Sequence, residues 1–156
     1  MNDEIIIVKV DSSNYLLFDN MVFFRMNGRE KYEEELDTES DFSNIYEALA
    51  NPDLFVYAAM IDKRFIAWIS IVYIPKVGRT GGRGYMFIDE LWVSPEHRKK
   101  GIAKTLMKKA DELSREFNTL GTRLYVNTDN EEAIQLYQKC RYTGIREAFF
   151  MEKLRQ

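Results

Sequence analysis

The clearest chemical signal in the sequence is a short basic turn, Glu-His-Arg-Lys-Lys-Gly-Ile-Ala, at positions 96–103. A helix that begins near Gly101 would offer backbone N–H groups without intrahelical partners and a partial positive charge. The glycine would let an anion approach that backbone closely, and the small Ala103 would keep the first turn uncrowded. Three consecutive cations add formal charge: Arg98, Lys99 and Lys100. The spacing therefore predicts a phosphate-binding cradle, although it is neither a G-x-x-x-x-G-K-[ST] loop nor a G-x-G-x-x-G pattern.

Two carboxylates, Asp89 and Glu90, lie inside the apolar run 85–93. Carboxylates rarely occupy such a strand without a partner. A partly buried carboxylate has a raised pKa and suits a general base or a ligand for an ammonium group. Strict alternation would place the two acids on opposite faces, with Glu90 on the face of Ile88 and Trp92. The alternative is a carboxylate paired with an arginine at the sheet edge.

Periodicity and turn signals predict the elements that must position these groups. We expect strands over 4–10, 54–61, 65–74, 85–93 and 122–127, and helices that start at Ser12 or Ser13 and end near Asn27, then over 42–51, 101–117 and 128–140. Thr128 and Glu131 suggest a capping box for the last helix, and two short strands are expected between 142 and 154, around Glu147. This order predicts one α/β (α+β) domain over residues 1–156, with a mixed, mostly antiparallel sheet flanked by helices.

Composition narrows the classes of function. The chain has 156 residues, a net charge of −3, one His and one Cys, and its sequence pI is about 5.3. One His and one Cys fall short of the four ligands of a structural zinc site, so no metal is expected. No apolar run reaches the roughly 20 residues of a membrane helix, and the acidic start of the chain is unlike a secretory signal. We therefore expect a cytoplasmic protein without a membrane partner.

Charge is distributed unevenly along the chain. Residues 29–41 carry seven acids and two bases, a local charge of −5, whereas residues 98–109 carry six bases and no acid. Two solvated faces would explain this pattern, as would two sites that prefer opposite charges. The basic stretch alone could bind nucleic acid, but the acidic pI argues against a nucleic-acid partner.

Two segments resemble the GNAT superfamily of N-acetyltransferases. The first is R-x-x-G-x-A at 98–103, which follows a strand and the lead-in Val-Ser-Pro-Glu at 93–96. The second is the stretch 127–137, which contains an Asn, then an Ala, then Leu-Tyr. The predicted element order also resembles that fold over essentially the whole chain. The sequence departs from the family pattern at Arg141, where glycine is usual, and at Tyr142, where phenylalanine is usual.

This resemblance implies an enzyme that transfers an acetyl group from acetyl-coenzyme A to an amine. It implies that Tyr137 is the general acid for the departing thiolate. It also implies that Glu90, more than Asp89, is the base or the ligand of the acceptor. The contacts to coenzyme A that it implies lie at the end of the fourth strand, in the cradle and on the last helix: Leu91, Trp92, Val93, Arg98, Lys99, Lys100, Gly101, Ile102, Ala103, Lys104, Asn130 and Tyr137.

The resemblance favours a small-molecule amine that is cationic, such as a polyamine or an aminoglycoside, because family members for such acceptors carry acids near positions 89 and 90. A protein or peptide amine is the alternative acceptor, and a non-catalytic, coenzyme A-binding regulatory module is the alternative function. Tyr137 has the alternative role of a core aromatic, and Asn130 that of a plain helix cap. Family members are often dimers, so a homodimer is also open.

Overall fold

The computed structural model describes residues 4–36, 40–78 and 80–155 of the chain. Contacts group the chain into two compact units, one ending at Tyr125 and the other beginning at Val126. The elements are β1 (Ile6–Lys9), α1 (Tyr15–Asn27), α2 (Ser43–Leu49), β2 (Leu54–Ile61), β3 (Arg64–Ile74), β4 (Tyr85–Val93), α3 (Ile102–Glu116), β5 (Thr122–Leu124) and α4 (Glu131–Lys139).

A five-stranded sheet with the order β1-β2-β3-β4-β5 forms the centre of the first unit. Its first three strand pairings are antiparallel, and β4 pairs with β5 in parallel. The β2–β3 hairpin turns through Asp62 and Lys63, whose φ angles of 47° and 63° fit a type I′ turn, the turn that follows the twist of the strands. The predicted mixed, mostly antiparallel sheet with flanking helices is confirmed.

Alternation along the inner strands builds a core on each face of the sheet. On one face, Val56 and Trp68 pack in a cluster with Met21 of α1. On the other face, the ring of Phe55 lies 5.4 Å from that of Phe117, which follows α3. The buried residues of α3 keep the predicted helical spacing and include Ile102, Leu106, Ala110 and Leu113. Burial of each large side chain among them contributes about 1.5–3 kcal/mol to the free energy of folding.

β4 carries a β-bulge at Asp89. Ser70 of β3 lies opposite Glu90, while the next residue, Ile71, lies opposite Ile88, so Asp89 is an extra residue on its strand. The extra residue reverses the alternation of side chains beyond it. Glu90 therefore lies on the α1 face of the sheet and Ile88 on the α3 face. The prediction that these two share a face is wrong, because strict alternation has no place for the extra residue.

The ends of α1 differ in how well they were predicted. Asn14 precedes the helix, and its Oδ1 accepts a hydrogen bond from the backbone N–H of Asp11 at 2.9 Å. The predicted cap at Ser12 or Ser13 is therefore wrong. At the other end the prediction is confirmed, since Gly28 adopts a left-handed φ of 68° directly after the helix.

The start of α4 also corrects a prediction. Asn130 is the cap residue, and its Oδ1 accepts a hydrogen bond from the N–H of Ala133 at 3.2 Å. The proposed capping box of Thr128 and Glu131 is wrong. The preceding strand, β5, ends at Leu124 and is shorter than the predicted 122–127.

The end of α4 shows what happens where the usual glycine is missing. Arg141 takes the left-handed conformation, with φ at 69°. The N–H of Tyr142 donates to the carbonyl of Tyr137 and that of Arg141 to the carbonyl of Gln138, both at 2.9 Å, which is the Schellman pattern. The helix stop therefore forms with a side chain in place, at a conformational cost of about 1–2 kcal/mol.

Residues 143–155, all of which the structure describes, contain no helix or strand. The prediction of two short strands around Glu147 is therefore wrong. The aromatic side chains of this segment are exposed, with Phe149 at 96% and Phe150 at 88%. The sequence has the apolar residues of a strand, but strand formation depends on packing and pairing with a neighbour more than on local propensity.

Candidate active site

The turn between β4 and α3 has the backbone form of an anion cradle. Lys99 and Gly101 have positive φ angles, 59° and 81°, and such changes of handedness turn successive N–H groups toward one point. In the described part of the chain, no backbone acceptor or side-chain cap takes the N–H groups from Lys99 to Lys104. A Cβ added at Gly101 would meet no atom within 4 Å, so the space before the backbone is open. These groups fit an anionic phosphate.

Arg98 ties this turn to the end of β4. Its Nε donates a hydrogen bond to the carbonyl of Val93 at 3.0 Å. The guanidinium is thus fixed at one nitrogen, while its other nitrogens have no hydrogen-bond partner among the described residues. Lys99, Lys100 and Lys104 are exposed around the same turn. The six predicted cradle residues from Arg98 to Ala103 therefore lie together with Lys104 at one helix start.

Part of β4 presents an open backbone edge. The pairing of β4 with β5 covers only 86–88 of β4, so the strand beyond the bulge has no strand beside it there in the described structure. The N–H of Ser94 donates to the carbonyl of Ile66, and antiparallel pairs alternate in hydrogen bonding. The backbone of Trp92 therefore turns toward β3, and that of Leu91 and Val93 turns toward the open edge. Of the three strand residues predicted to contact coenzyme A, Leu91 and Val93 thus turn their backbone toward the open edge, whereas Trp92 turns its backbone toward β3.

The two carboxylates of β4 are both exposed. The expectation of a partly buried carboxylate is therefore wrong, because Asp89 is the extra residue of the bulge and Glu90 faces the end of α1, where its side chain stays open to solvent. Glu90 lies 3.5 Å from a guanidinium nitrogen of Arg25, in the last turn of α1. The alternative reading of Glu90, a carboxylate paired with an arginine, matches this contact. Asp89 is the bulged residue, and the described ion pairs do not include it.

Arg25 is a residue of this group that the sequence did not predict. Its guanidinium carbon lies 5.0 Å from the centre of the Trp68 ring, and that ring lies 5.3 Å from the ring of Trp92. Arg25 and Glu90 keep 40% and 51% of their side chains exposed, so their charges are open to solvent. No local pattern reveals this group, because it depends on where the bulge in β4 falls.

The acidic stretch after α1 is partly neutralised. Glu35 pairs with both terminal nitrogens of Arg29, at 2.7 and 2.8 Å, and also accepts from the N–H of Tyr32 at 2.8 Å. The hydrogen bond from Arg29, followed by that from Tyr32, lowers the pKa of Glu35 from 4.5 to about 2. Glu35 thus fixes the loop that follows α1.

Other acids of this stretch differ in their surroundings. Glu30 lies 3.5 Å from Arg64. Glu33 and Glu34 are exposed and form no ion pair in the part of the chain that the structure describes. Positions 37 and 39 lie outside the described residues. The acids that remain available for a cation are therefore fewer than the sequence suggested.

Tyr137 and Asn130 belong to the second unit. Burial, with a smaller contribution from Cys140, raises the pKa of Tyr137 above its ordinary value of 10.0, so its phenol is protonated at neutral pH. The ring lies 6.1 Å from that of Tyr142 within the helix stop. Asn130 accepts the hydrogen bond from the N–H of Ala133, and this contact supports its role as a helix cap.

The helices of the described residues are all too short or too polar to span a lipid bilayer. The same part of the chain contains no group of three or more His, Cys, Asp or Glu side chains arranged to hold a metal ion.

The family model described as "Acetyltransferase (GNAT) family" matches residues 21–142. Streptothricin acetyltransferase of Escherichia coli is 30% identical over 94 residues, which are 60% of this chain and 50% of that protein. Thialysine N-epsilon-acetyltransferase of Caenorhabditis elegans is 25% identical, over 92% of this chain and 85% of that protein. The chain thus spans half the length of the first of these relatives.

Solved structures match over almost the whole chain. An aminoglycoside acetyltransferase from an uncultured soil metagenomic sample, in complex with trehalose, has a TM-score of 0.78. The match covers 97% of each chain at 12% sequence identity. At this identity the likeness concerns the fold.

Proposed function

Because the chain belongs to the acetyltransferase (GNAT) family, we propose that it transfers an acetyl group from acetyl-coenzyme A to a primary amine of a small cationic acceptor. The observation that carries the proposal is the open cradle at the start of α3, beside an edge of β4 that no described strand covers. The family uses acetyl-coenzyme A, and both features suit its two parts. A helix N-terminus suits phosphate, and an open strand edge suits an amide-containing arm.

Each proposed donor contact follows from a group that has spare hydrogen-bonding capacity. The N–H groups from Lys99 to Lys104 would hold the pyrophosphate, with the charges of the exposed lysines around them. The outward backbone of Leu91 and the N–H of Val93, whose carbonyl already accepts from Arg98, would pair with the pantetheine arm. Arg98 would keep the turn in register with the end of β4 through its bond to Val93. Asn130 would act mainly as the cap of α4, and its contact with coenzyme A would be secondary.

When bound, acetyl-coenzyme A supplies an acetyl thioester. The acceptor ammonium must lose one proton before its nitrogen can form a bond to the acetyl carbon, and we assign that proton to Glu90 or to a water that it holds. The new C–N bond would form as the C–S bond breaks, and the second proton of the nitrogen would pass to water, from which the Tyr137 phenolate would regain a proton. Tyr137, a neutral phenol at physiological pH, would donate a proton to the departing sulfur, which leaves as a thiol.

The acceptor is proposed to be cationic for two reasons. Glu90 is exposed on the α1 face, one residue beyond the bulge, where the β4 edge opens. The exposed Glu33 and Glu34 follow α1 and add negative charge to the same unit. Two relatives have names that refer to amine-bearing compounds, streptothricin and thialysine, which supports a small-molecule amine over a protein acceptor.

The test is a transfer screen with acetyl-coenzyme A against polyamines, aminoglycosides, amino acids and peptide amines, read out as free thiol release. A reaction without amine measures hydrolysis, and calorimetry with coenzyme A measures donor binding separately. We expect amine-dependent release for at least one small cationic amine. Tight coenzyme A binding without transfer to any amine would favour the non-catalytic module, and the absence of both would overturn the proposal.

A further inference from the structure

We infer that Arg25 is a specificity-determining residue, and that the acceptor is a diamino acid, a small cationic amine that also carries a carboxylate. This inference rests on the proposed function and narrows its acceptor class. The structural basis is the juxtaposition of Arg25 and Glu90, two opposite and exposed charges on the α1 face beside the open edge of β4.

The guanidinium of Arg25 has unused binding capacity. Its contact with Glu90 is a single long ion pair of 3.5 Å, and the described residues offer it no hydrogen bond. The cation–π contact with Trp68 holds the group in place from one side. A guanidinium has five N–H donors in a planar fork that matches a carboxylate at two points. Arg25 therefore keeps N–H donors that can bind a ligand carboxylate at two points.

Glu90 supplies the opposite half of the site. Exposed ion pairs contribute little to stability, so a ligand that pairs with both charges at once can open this one easily. An α-amino acid carries its ammonium and its carboxylate two bonds apart, which matches two protein charges in contact. A pure polycation would instead bring positive charge against Arg25. The geometry thus favours a zwitterionic head group over a polyamine.

The same face offers support for a carbon chain. Trp92 is half-buried and packs on Trp68, and Phe87 is half-buried opposite Val72, on the same face of β3 as Trp68. A side chain of a few methylene groups could lie along these rings while its head group engages the two charges. The second amine makes such a compound a net cation, in agreement with the proposed function.

The test compares matched acceptors that differ only in the carboxylate. L-lysine, L-ornithine and 2,4-diaminobutyrate are each assayed beside their amides, with the parent and with Arg25→Gln. We expect kcat/KM for the best diamino acid to exceed that for its amide by about 10-fold to 10²-fold in the parent, as for a charge-assisted bidentate contact. In Arg25→Gln this preference should fall to within about 2-fold, while the Kd for coenzyme A is unchanged.

Arg25→Lys is the matched control, because it keeps the charge and removes the planar fork. It should retain only part of the preference, and circular dichroism checks that both variants fold. A parent that acetylates the amides as well as the acids would overturn the inference and leave the proposed function standing. If no amine is acetylated, calorimetry of the same ligands in the presence of coenzyme A still decides: carboxylate-selective binding that Arg25→Gln abolishes supports the inference, and its absence overturns it.

Discussion

Substitution of Gly101 offers a direct test of the phosphate cradle. Its φ of 81° is unfavourable for any L-residue, yet a Cβ at this position would meet no atom within 4 Å. We therefore compare Gly101→Gln with Gly101→Glu, which share size and backbone cost and differ by one negative charge. The backbone cost is about 1–2 kcal/mol for either variant. For a chain of 156 residues this lowers Tm by about 2–8 °C in both.

The negative charge of Gly101→Glu should then weaken its binding of acetyl-coenzyme A relative to that of Gly101→Gln. Like charges about 4 Å apart near a protein surface repel by about 4 kcal/mol. If salt and the neighbouring lysines screen a third of this, about 2.7 kcal/mol remains, which is about 10²-fold in Kd. We expect Gly101→Glu to bind acetyl-coenzyme A about 10²-fold more weakly than Gly101→Gln.

Isothermal titration calorimetry at two salt concentrations measures both quantities, with thermal denaturation of the same samples as the stability check. The difference between the Glu and Gln variants should shrink as salt rises. Equal affinities for the two variants at low salt, in folded protein, would refute the assignment of the cradle to the pyrophosphate.

Three further predictions concern other sites. Tyr137→Phe should lower kcat by about 10²-fold with little change in coenzyme A affinity, and normal turnover where chemistry limits the rate would make the residue a packing aromatic. Arg141→Gly should raise the stability by about 0.5–1 kcal/mol in denaturant titrations, because it removes the left-handed strain but adds chain entropy to the unfolded state; a lower midpoint would contradict this. The lowered pKa of Glu35 contributes stability above pH 4.5 that is lost as pH falls toward about 2. Glu35→Gln should therefore be less stable than the parent at pH 7, and the gap should close between pH 4.5 and pH 2 in thermal melts.

The features that could be predicted from the sequence are those with local causes. The turn at 98–103 combines glycine, small residues and cations within one helix start, so its form follows from neighbours in the chain. The end of α1 at Gly28 is local in the same sense. The element order and the sheet class follow from periodicity over short windows.

The features that escaped prediction depend on distant partners. The bulge at Asp89 is visible only in the register between β3 and β4, and the pairing of Glu90 with Arg25 depends on it. The expected strands around Glu147 failed for a related reason, because an apolar segment becomes a strand only when another strand receives it. Trp92 shows the same limit, since which edge its backbone faces is set by hydrogen bonding to β3.

The bulge at Asp89 also separates the spacing of residues along β4 from the face on which each side chain lies. A chain without this extra residue could keep every pairing of β4 with β3, in one regular ladder. Glu90 would then stay on the α1 face, and the backbone of Leu91 and Val93 would still turn toward the open edge. Such a chain would lose only the local bend and the stronger twist that a bulge gives its strand. Sequences that share this strand can therefore differ in length by one residue here, and an alignment of them should place its gap at Asp89.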